Sequence, residues 1–380
     1  AITAGKRGAT PENLQSYIEG VTGDTVAALQ YTGGTTGVAK GAMLTHANLM
    51  SNTMQMLGMA GPFLRHGVET VMTALPLYHV FAFTVNLLSF FHLGGKNILI
   101  PSPRPPGNLK RAFENYEVTW LTGVNTLFAA LLKERWFQDS PPAHLRASAA
   151  GGMALHTSVA AQWREMVGSP IVEGFGLTES SPVLTFNPLD GTAKDGTIGI
   201  PVPSTQARCV DDNGNDVPVG EAGELLTKGP QVMAGYWNQP EETAATIVDG
   251  WLHTGDVAEM DEQGFFTIVD RKKDVIVVSG FNVYPNEIED LIAGVEGVAE
   301  VGVIGLPDSR SGERVEAFVV SSGDGVTSES IIAHCRKSLA GYKIPQRVTV
   351  VDELPKSPIG KILRRELRSN AVNSTERDGS

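Results

Sequence analysis

Between Tyr31 and Gly41 the chain reads Tyr31-Thr32-Gly33-Gly34-Thr35-Thr36-Gly37-Val38-Ala39-Lys40-Gly41, with four glycines, three threonines and one lysine. Glycine lets backbone N–H groups come close to an anion, and threonine hydroxyls add further donors. Lys40 contributes a positive point charge. Together these make a phosphate cradle. The string has no Gly-Lys-Ser/Thr triplet, so it is not a Walker A loop, which disfavours a P-loop NTPase. A flexible hairpin turn is the alternative that composition alone leaves open.

Further strings carry chemistry-bearing groups. Gly174-Phe175-Gly176-Leu177-Thr178-Glu179 ends in a carboxylate, a suitable ligand for a hard cation such as Mg²⁺. Gly250-Trp251-Leu252-His253-Thr254-Gly255-Asp256 ends in a carboxylate able to accept two hydroxyl donors, although an Asp in a β-turn would look the same. Pro355-Lys356-Ser357-Pro358-Ile359-Gly360-Lys361-Ile362 places Lys361 on a loop flanked by Pro and Gly, where a lysine could enter and leave a site. The run Asp270-Arg271-Lys272-Lys273-Asp274 holds five consecutive charges. They cannot all be buried, so the run is expected to be exposed and to mark a boundary. Tyr78-His79 follows Pro76-Leu77, and a lone His beside Tyr is more often structural than catalytic.

These motifs, in this order, resemble the adenylate-forming superfamily of acyl-CoA synthetases, luciferases and peptide-synthetase adenylation domains. The loop extended through Ala42-Met43-Leu44-Thr45-His46-Ala47-Asn48-Leu49 is most similar to bacterial long-chain fatty acyl-CoA synthetases. The resemblance covers about residues 26–369 and implies the following roles. Thr32, Gly33, Gly34, Thr35, Thr36, Gly37 and Lys40 cradle the β- and γ-phosphates of ATP. Gly152, Gly174, Phe175 and Gly176 border the adenine, Phe175 standing where many members carry Tyr. Thr178 meets the α-phosphate and Glu179 helps to hold Mg²⁺. Asp256 takes the ribose hydroxyls, Arg271 also reaches the nucleotide, and Lys361 stabilises charge during adenylation. Tyr78, His79, Asn125 and Gly151 line an acyl and pantetheine channel. Lys273 is the pivot that later brings Gly280 and Phe281 to the CoA channel. Arg364, Arg365 and Arg368 aid docking or meet CoA phosphate, a solvated basic helix being the alternative.

The implied reaction is ATP-dependent activation of a fatty acid to acyl-AMP, followed by thioester formation with CoA. Alternatives are another acyl-adenylate former (a medium-chain, aryl or fatty acyl-AMP ligase) or a non-catalytic nucleotide- or acyl-binding fragment. Members of the superfamily carry a much longer segment before the phosphate loop, so the large domain is expected to be incomplete at its start. The resemblance also implies a cytoplasmic protein with peripheral contact at the inner face of the membrane.

The elements that must position these groups can be read from pattern. A strand at Val26–Tyr31 runs into the loop, and a helix over Leu44–Leu57 has Thr45 as its N-cap. Short apolar strands then alternate with helices up to about Glu173, which implies an α/β fold with a mostly parallel sheet. From about residue 197, strand-like stretches separated by Asn213-Gly214 and Gln263-Gly264 turns suggest a barrel-like β subdomain. After the charged run comes a small α/β pattern. The expected domains are 1–272, a large N-terminal adenylation domain, and 273–369, a small mobile C-terminal domain, with a disordered tail at 370–380.

Bulk properties agree. The 380 residues exceed one ordinary core. A net charge of −12 argues against nucleic acid as a partner. Cys209 and Cys335, far apart and without CxxC spacing, exclude a disulfide scaffold and a cysteine zinc site. The longest apolar stretch, Val80 to Leu93, is too short to span a bilayer.

Overall fold

The structure is a computed structural model and describes residues 15, 18–32, 39–61, 63–321, 323, 325–357 and 360–378. Strands β1 (Val26–Thr32) and β2 (Lys40–Thr45) form an antiparallel hairpin, closed toward the loop by the Thr32–Lys40 pair. This corrects the expected strand–loop–helix order, because a second strand stands between loop and helix. Its Ala42 and Leu44 are fully buried, which a solvated loop would not allow. Helix α1 (His46–Ala60) starts where expected: the Thr45 hydroxyl accepts from Asn48 N, and Asn48 caps Thr45 N in return.

A seven-stranded sheet follows, ordered β4-β3-β5-β6-β7-β8-β9. Its strands are β3 (Thr70–Thr73), β4 (Lys96–Leu99), β5 (Trp120–Gly123), β6 (Ala147–Ala150), β7 (Ile171–Gly176), β8 (Val183–Phe186) and β9 (Ile200–Pro201). The first five are mutually parallel; β8 pairs antiparallel with β7, and β9 antiparallel with β8. Residues in β3, β5 and β6 are buried on both faces, as a helix-covered parallel sheet requires. Alternation divides the core. Met72, Leu121 and Ile171 pack on one face with Phe128 and Leu131 of α4 (Asn125–Lys133), Phe137 of α5 (Arg135–Asp139) and Trp163 of α6 (Thr157–Val167). Val71, Trp120 and Val172 pack on the other with Met56 and Ala60 of α1. The apolar stretch after Val80 is helical, with a π-helix over Ala82–Leu88 running into α2 (Ser89–His92). Helix α3 (Lys110–Asn115) completes the first layer.

The β-rich subdomain is an antiparallel sheet of β10 (Gln206–Val210), β11 (Gly223–Lys228), β12 (Ile247–Val248), β13 (Trp251–Met260) and β14 (Phe266–Arg271), with α7 (Pro240–Thr246) beside it. A last sheet holds β15 (Ile276–Val278), β16 (Phe281–Val283), β17 (Val298–Asp308), β18 (Gly312–Ser321) and β19 (Arg347–Val351). Helices α8 (Pro285–Ala293) and α9 (Ser328–Cys335) contribute Ile288, Ile292, Ile331 and Cys335 to one core, while Leu367 and Ala371 of α10 (Arg364–Asp378) pack against Ile304 and Phe318 in another. The expected disordered tail is thereby corrected for 370–378. Helix α10 continues through Asp378, anchored by Leu367 and Ala371. Among the described residues, no helix is long and apolar enough to cross a membrane.

Candidate active site

Lys361 is held by a tight loop. Ser357 N donates to Lys361 O (2.9 Å), Gly360 N to Ser357 O (2.8 Å), and Leu363 N to Pro355 O (2.9 Å). Gly360 has φ +90° and is buried against the large sheet's side of the molecule. A Cβ there would stand 2.4 Å from Arg104 Nη2 and 2.9 Å from Thr126 Oγ1. Only glycine fits without adjustment.

This seating brings Lys361 into the electrostatic reach of Asp256, Arg271 and His79. Burial first, then the like charge of Arg271, pulls the Lys361 ammonium down to about 7, against the attraction of Asp256. His79 is depressed by burial and by Lys361. Asp256 and Arg271 are cross-strand partners on β13 and β14, with Nε and Oδ1 3.5 Å apart. Asp256 is only 5% exposed, and burial raises its carboxyl against the pull of Arg271 and Lys361. A half-neutral lysine among fixed charges is poised to gain a proton when an anion arrives.

Glu179 lies in the turn after β7. Two glycines shape its approach: a Cβ on Gly174 would meet Phe186 Cδ2 at 2.7 Å, and one on Gly176 would meet Pro182 O at 2.0 Å. Phe175 packs partly against Ile198, Cys209, Leu225 and Phe266. The Tyr236 hydroxyl donates to Glu179 Oε1 at 2.7 Å. Oε2 takes no hydrogen bond among the described residues. Among those residues no cluster of three or more His, Cys, Asp or Glu could hold a metal. A single free carboxylate oxygen fits Mg²⁺ that keeps most of its shell as water and phosphate oxygens.

Lys40, at the start of β2, ion-pairs with Glu242 of α7 and lies over the Tyr236 ring, 5.2 Å from its centroid. Thr32 closes the hairpin opposite it. Gly33, Gly34, Thr35, Thr36 and Gly37 lie outside the described residues. Gly151 and Gly152 follow β6; a Cβ on Gly151 would meet Phe81 at 3.2 Å and Gly174 O at 3.3 Å, and Gly152 has φ +80°. Asn125 Oδ1 accepts from His156 N at 3.0 Å. Tyr78 is 71% exposed, and its carbonyl accepts from Gln30 Nε2. Thr178 begins the turn that carries Glu179. Gly280 and Phe281 face solvent; Phe281 stacks on Tyr342 at 4.8 Å rather than joining Lys361.

Two expectations about charge change. Asp270, the first residue of the charged run, is fully buried rather than exposed. Arg364 compensates it at 3.0 Å and also reaches Asp274 (3.5 Å) and Glu289 (2.7 Å). Arg364 is thus not part of a solvated helix face, and these carboxylates hold its guanidinium firmly charged despite burial. Tyr236, Glu242, Arg104 and Thr126 were not singled out by the motifs. The aromatic pair in Gly235-Tyr236-Trp237 was the one visible signal. Glu173, just before the Gly174 motif, carries no such signal: burial, with Asp195 and Asp290 nearby, pushes its carboxyl up to about 8.

Residues 3–237 match the model of the AMP-binding enzyme family, and residues 287–361 match that of the AMP-binding enzyme C-terminal domain. The chain belongs to the AMP-binding enzyme family. It is 55% identical over 346 residues to a long-chain-fatty-acid–CoA ligase of Escherichia coli O6:H1, covering 91% of this chain and 62% of that protein. The chain therefore spans about 62% of the length of this curated relative. Among solved structures, ATP-bound MatB from Rhodopseudomonas palustris matches with a TM-score of 0.86 and 34% identity, over 92% of this chain and 69% of that one. Apo MatB matches at 0.72 over 92% and 68%. MenE from Bacillus subtilis in complex with ATP and magnesium ion matches at 0.81 with 30% identity, over 91% and 70%. The chain thus superposes better on the ATP-bound than on the apo structure of MatB.

Proposed function

We propose that this chain carries the nucleotide site of an ATP-dependent, AMP-forming ligase that joins a long-chain fatty acid to CoA. The observation that carries this reading is the convergence of Lys361, the cross-strand pair Asp256 and Arg271, and His79, from three separate stretches of the chain. In the first half-reaction a fatty carboxylate attacks the α-phosphorus of ATP. The bond from that phosphorus to the bridging oxygen breaks, and pyrophosphate leaves. In the second, CoA thiolate attacks the acyl carbon and AMP leaves. Phosphoryl chemistry of this kind is driven by positioning and electrostatics.

On this reading Asp256 accepts the ribose hydroxyls, and Arg271 and Lys361 meet phosphate charge. Thr32 to Gly37 and Lys40 hold the outer phosphates. Glu179 would hold Mg²⁺, which when bound neutralises phosphate charge. Gly152, Gly174, Phe175, Gly176 and Thr178 border the adenosine and α-phosphate. Tyr78, His79, Asn125 and Gly151 line the path for acyl chain and thiol. Residues 1–272 and 273–369 act as two domains with Lys273 as pivot, and a rotation would exchange Lys361 for Gly280 and Phe281. The sequence identity to the E. coli ligase supports a fatty acid and CoA as substrates. Such acids partition into bilayers, so peripheral membrane contact goes with this reading.

ATP–pyrophosphate exchange with palmitate tests the assignment. Lys361→Ala should abolish exchange yet preserve thioester formation from pre-made acyl-adenylate. Unchanged exchange, or loss of both half-reactions, would count against it.

A further inference from the structure

The stretch Met233 to Trp237 lies against the free edge of β2. Met43 N donates to Gly235 O (2.8 Å), Ala234 N to Met43 O (3.0 Å), and Trp237 N to Gly41 O (2.8 Å). Met233 N donates to the backbone oxygen of Glu179 at 2.8 Å. One short segment therefore ties the strand that leaves the phosphate loop to the turn that carries Glu179. Tyr236 lies within it, 6% exposed, in one buried cluster with Ala42, Leu44, Leu49, Val80 and Met233. Its N–H donates to Thr243 Oγ1 at 2.8 Å, which fixes the backbone from the α7 side.

Two contacts of this one side chain reach different parts of the nucleotide site. The hydroxyl donates to Glu179 Oε1 at 2.7 Å. The ring face lies beneath the Lys40 ammonium, 5.2 Å from centroid to nitrogen. A carboxylate on a short turn could otherwise rotate both oxygens through the site. With Oε1 engaged by a buried phenol, the other oxygen is held in a single direction. Hydrogen-bond partners of this kind typically change metal affinity by about 10–100-fold when removed.

We propose that Tyr236 is a positioning residue for the cation of Mg·ATP, its hydroxyl fixing Glu179 Oε1 so that Oε2 is presented to the metal while its ring seats Lys40. This rests on the nucleotide site proposed above. The hydroxyl serves the metal and the ring serves the lysine, so two substitutions separate them. Tyr236→Phe keeps ring and packing and removes only the hydroxyl. Tyr236→Leu removes both.

Calorimetric titration with Mg·ATP and with ATP in EDTA reads the difference without turnover. Tyr236→Phe should weaken Mg·ATP binding about tenfold and leave metal-free ATP within about twofold of wild type. Tyr236→Leu should weaken both. Paramagnetic resonance of Mn²⁺ added with ATP should show the same loss in Tyr236→Phe. In a double-mutant cycle, Glu179→Gln should make the Tyr236→Phe change silent. Equal weakening of both forms of ATP, no weakening of either, or additive effects in the cycle would overturn the positioning role while leaving the nucleotide site intact. A wild-type protein that binds neither form would overturn both the role and the site.

Discussion

On the proposed function, the depressed Lys361 ammonium makes ATP binding a proton-linked event, and its size follows from the site. With a pKa of about 7, Lys361 is about one-quarter charged at pH 7.5. Polyphosphate oxygens favour the charged form and raise the pKa toward its ordinary value. Binding at pH 7.5 should therefore take up about three-quarters of a proton. The sign fixes the window. Below pH 7 the lysine is already charged, so uptake fades to about one-tenth of a proton near pH 6. Above pH 8 it approaches one, and affinity should fall about tenfold per pH unit. Titration calorimetry in buffers of differing ionisation enthalpy measures the uptake directly. Lys361→Met supplies the baseline and removes contributions from His79 and from the nucleotide. Asp256→Asn, which deletes the attracting carboxylate, should shift the window to lower pH. A wild-type minus Lys361→Met difference below about 0.2 proton at pH 7.5 would refute the reasoning.

Two further outcomes rest on packing and charge. Arg364→Ala leaves Asp270, Asp274 and Glu289 without their shared cation, and stability should drop by about 3–5 kcal/mol in chemical denaturation; a loss under about 1 kcal/mol would show that solvent reaches these carboxylates. Gly360→Ala places a methyl against Arg104 and Thr126 on a backbone at φ +90°. Strain of about 1–3 kcal/mol, at about 1.4 kcal/mol per tenfold, should reduce ATP–pyrophosphate exchange about tenfold, while thioester formation from acyl-adenylate is retained.

Much of this architecture is legible in local pattern. Trp120–Gly123 and Gly223–Lys228 are strands because a run of apolar or β-forming residues is bounded by turn signals. Thr45 is a cap because its hydroxyl and Asn48 stand three residues apart. What pattern misses is set by partners remote in the chain. Strand β2 exists because β1 and the 233–237 segment flank it. Asp270 can be buried because Arg364 arrives from 94 residues away. Tyr236 meets Glu179 across 57 residues, and no local rule joins them. Asp256, Arg271 and Lys361 are found by motif, but the charge balance among them arises only when β13, β14 and the 355–363 loop are assembled.

If the proposed pivot at Lys273 operates, the network around Arg364 acquires a kinetic meaning. Arg364 holds Asp270, which precedes the proposed pivot, and Glu289, which follows it. Asn286 N adds a hydrogen bond to Asp270 Oδ2 at 2.8 Å. Any rotation about Lys273 must carry Glu289 and Asn286 away from Asp270 or keep all of them together at the axis. In the first case the cluster works as a detent, giving the Lys361-docked arrangement a finite dwell time. In the second it is a bearing, and the swing is confined to one arc. On the proposed rotation, the first case makes the two arrangements discrete stations separated by the breaking of these contacts, and the second makes them the two ends of one arc.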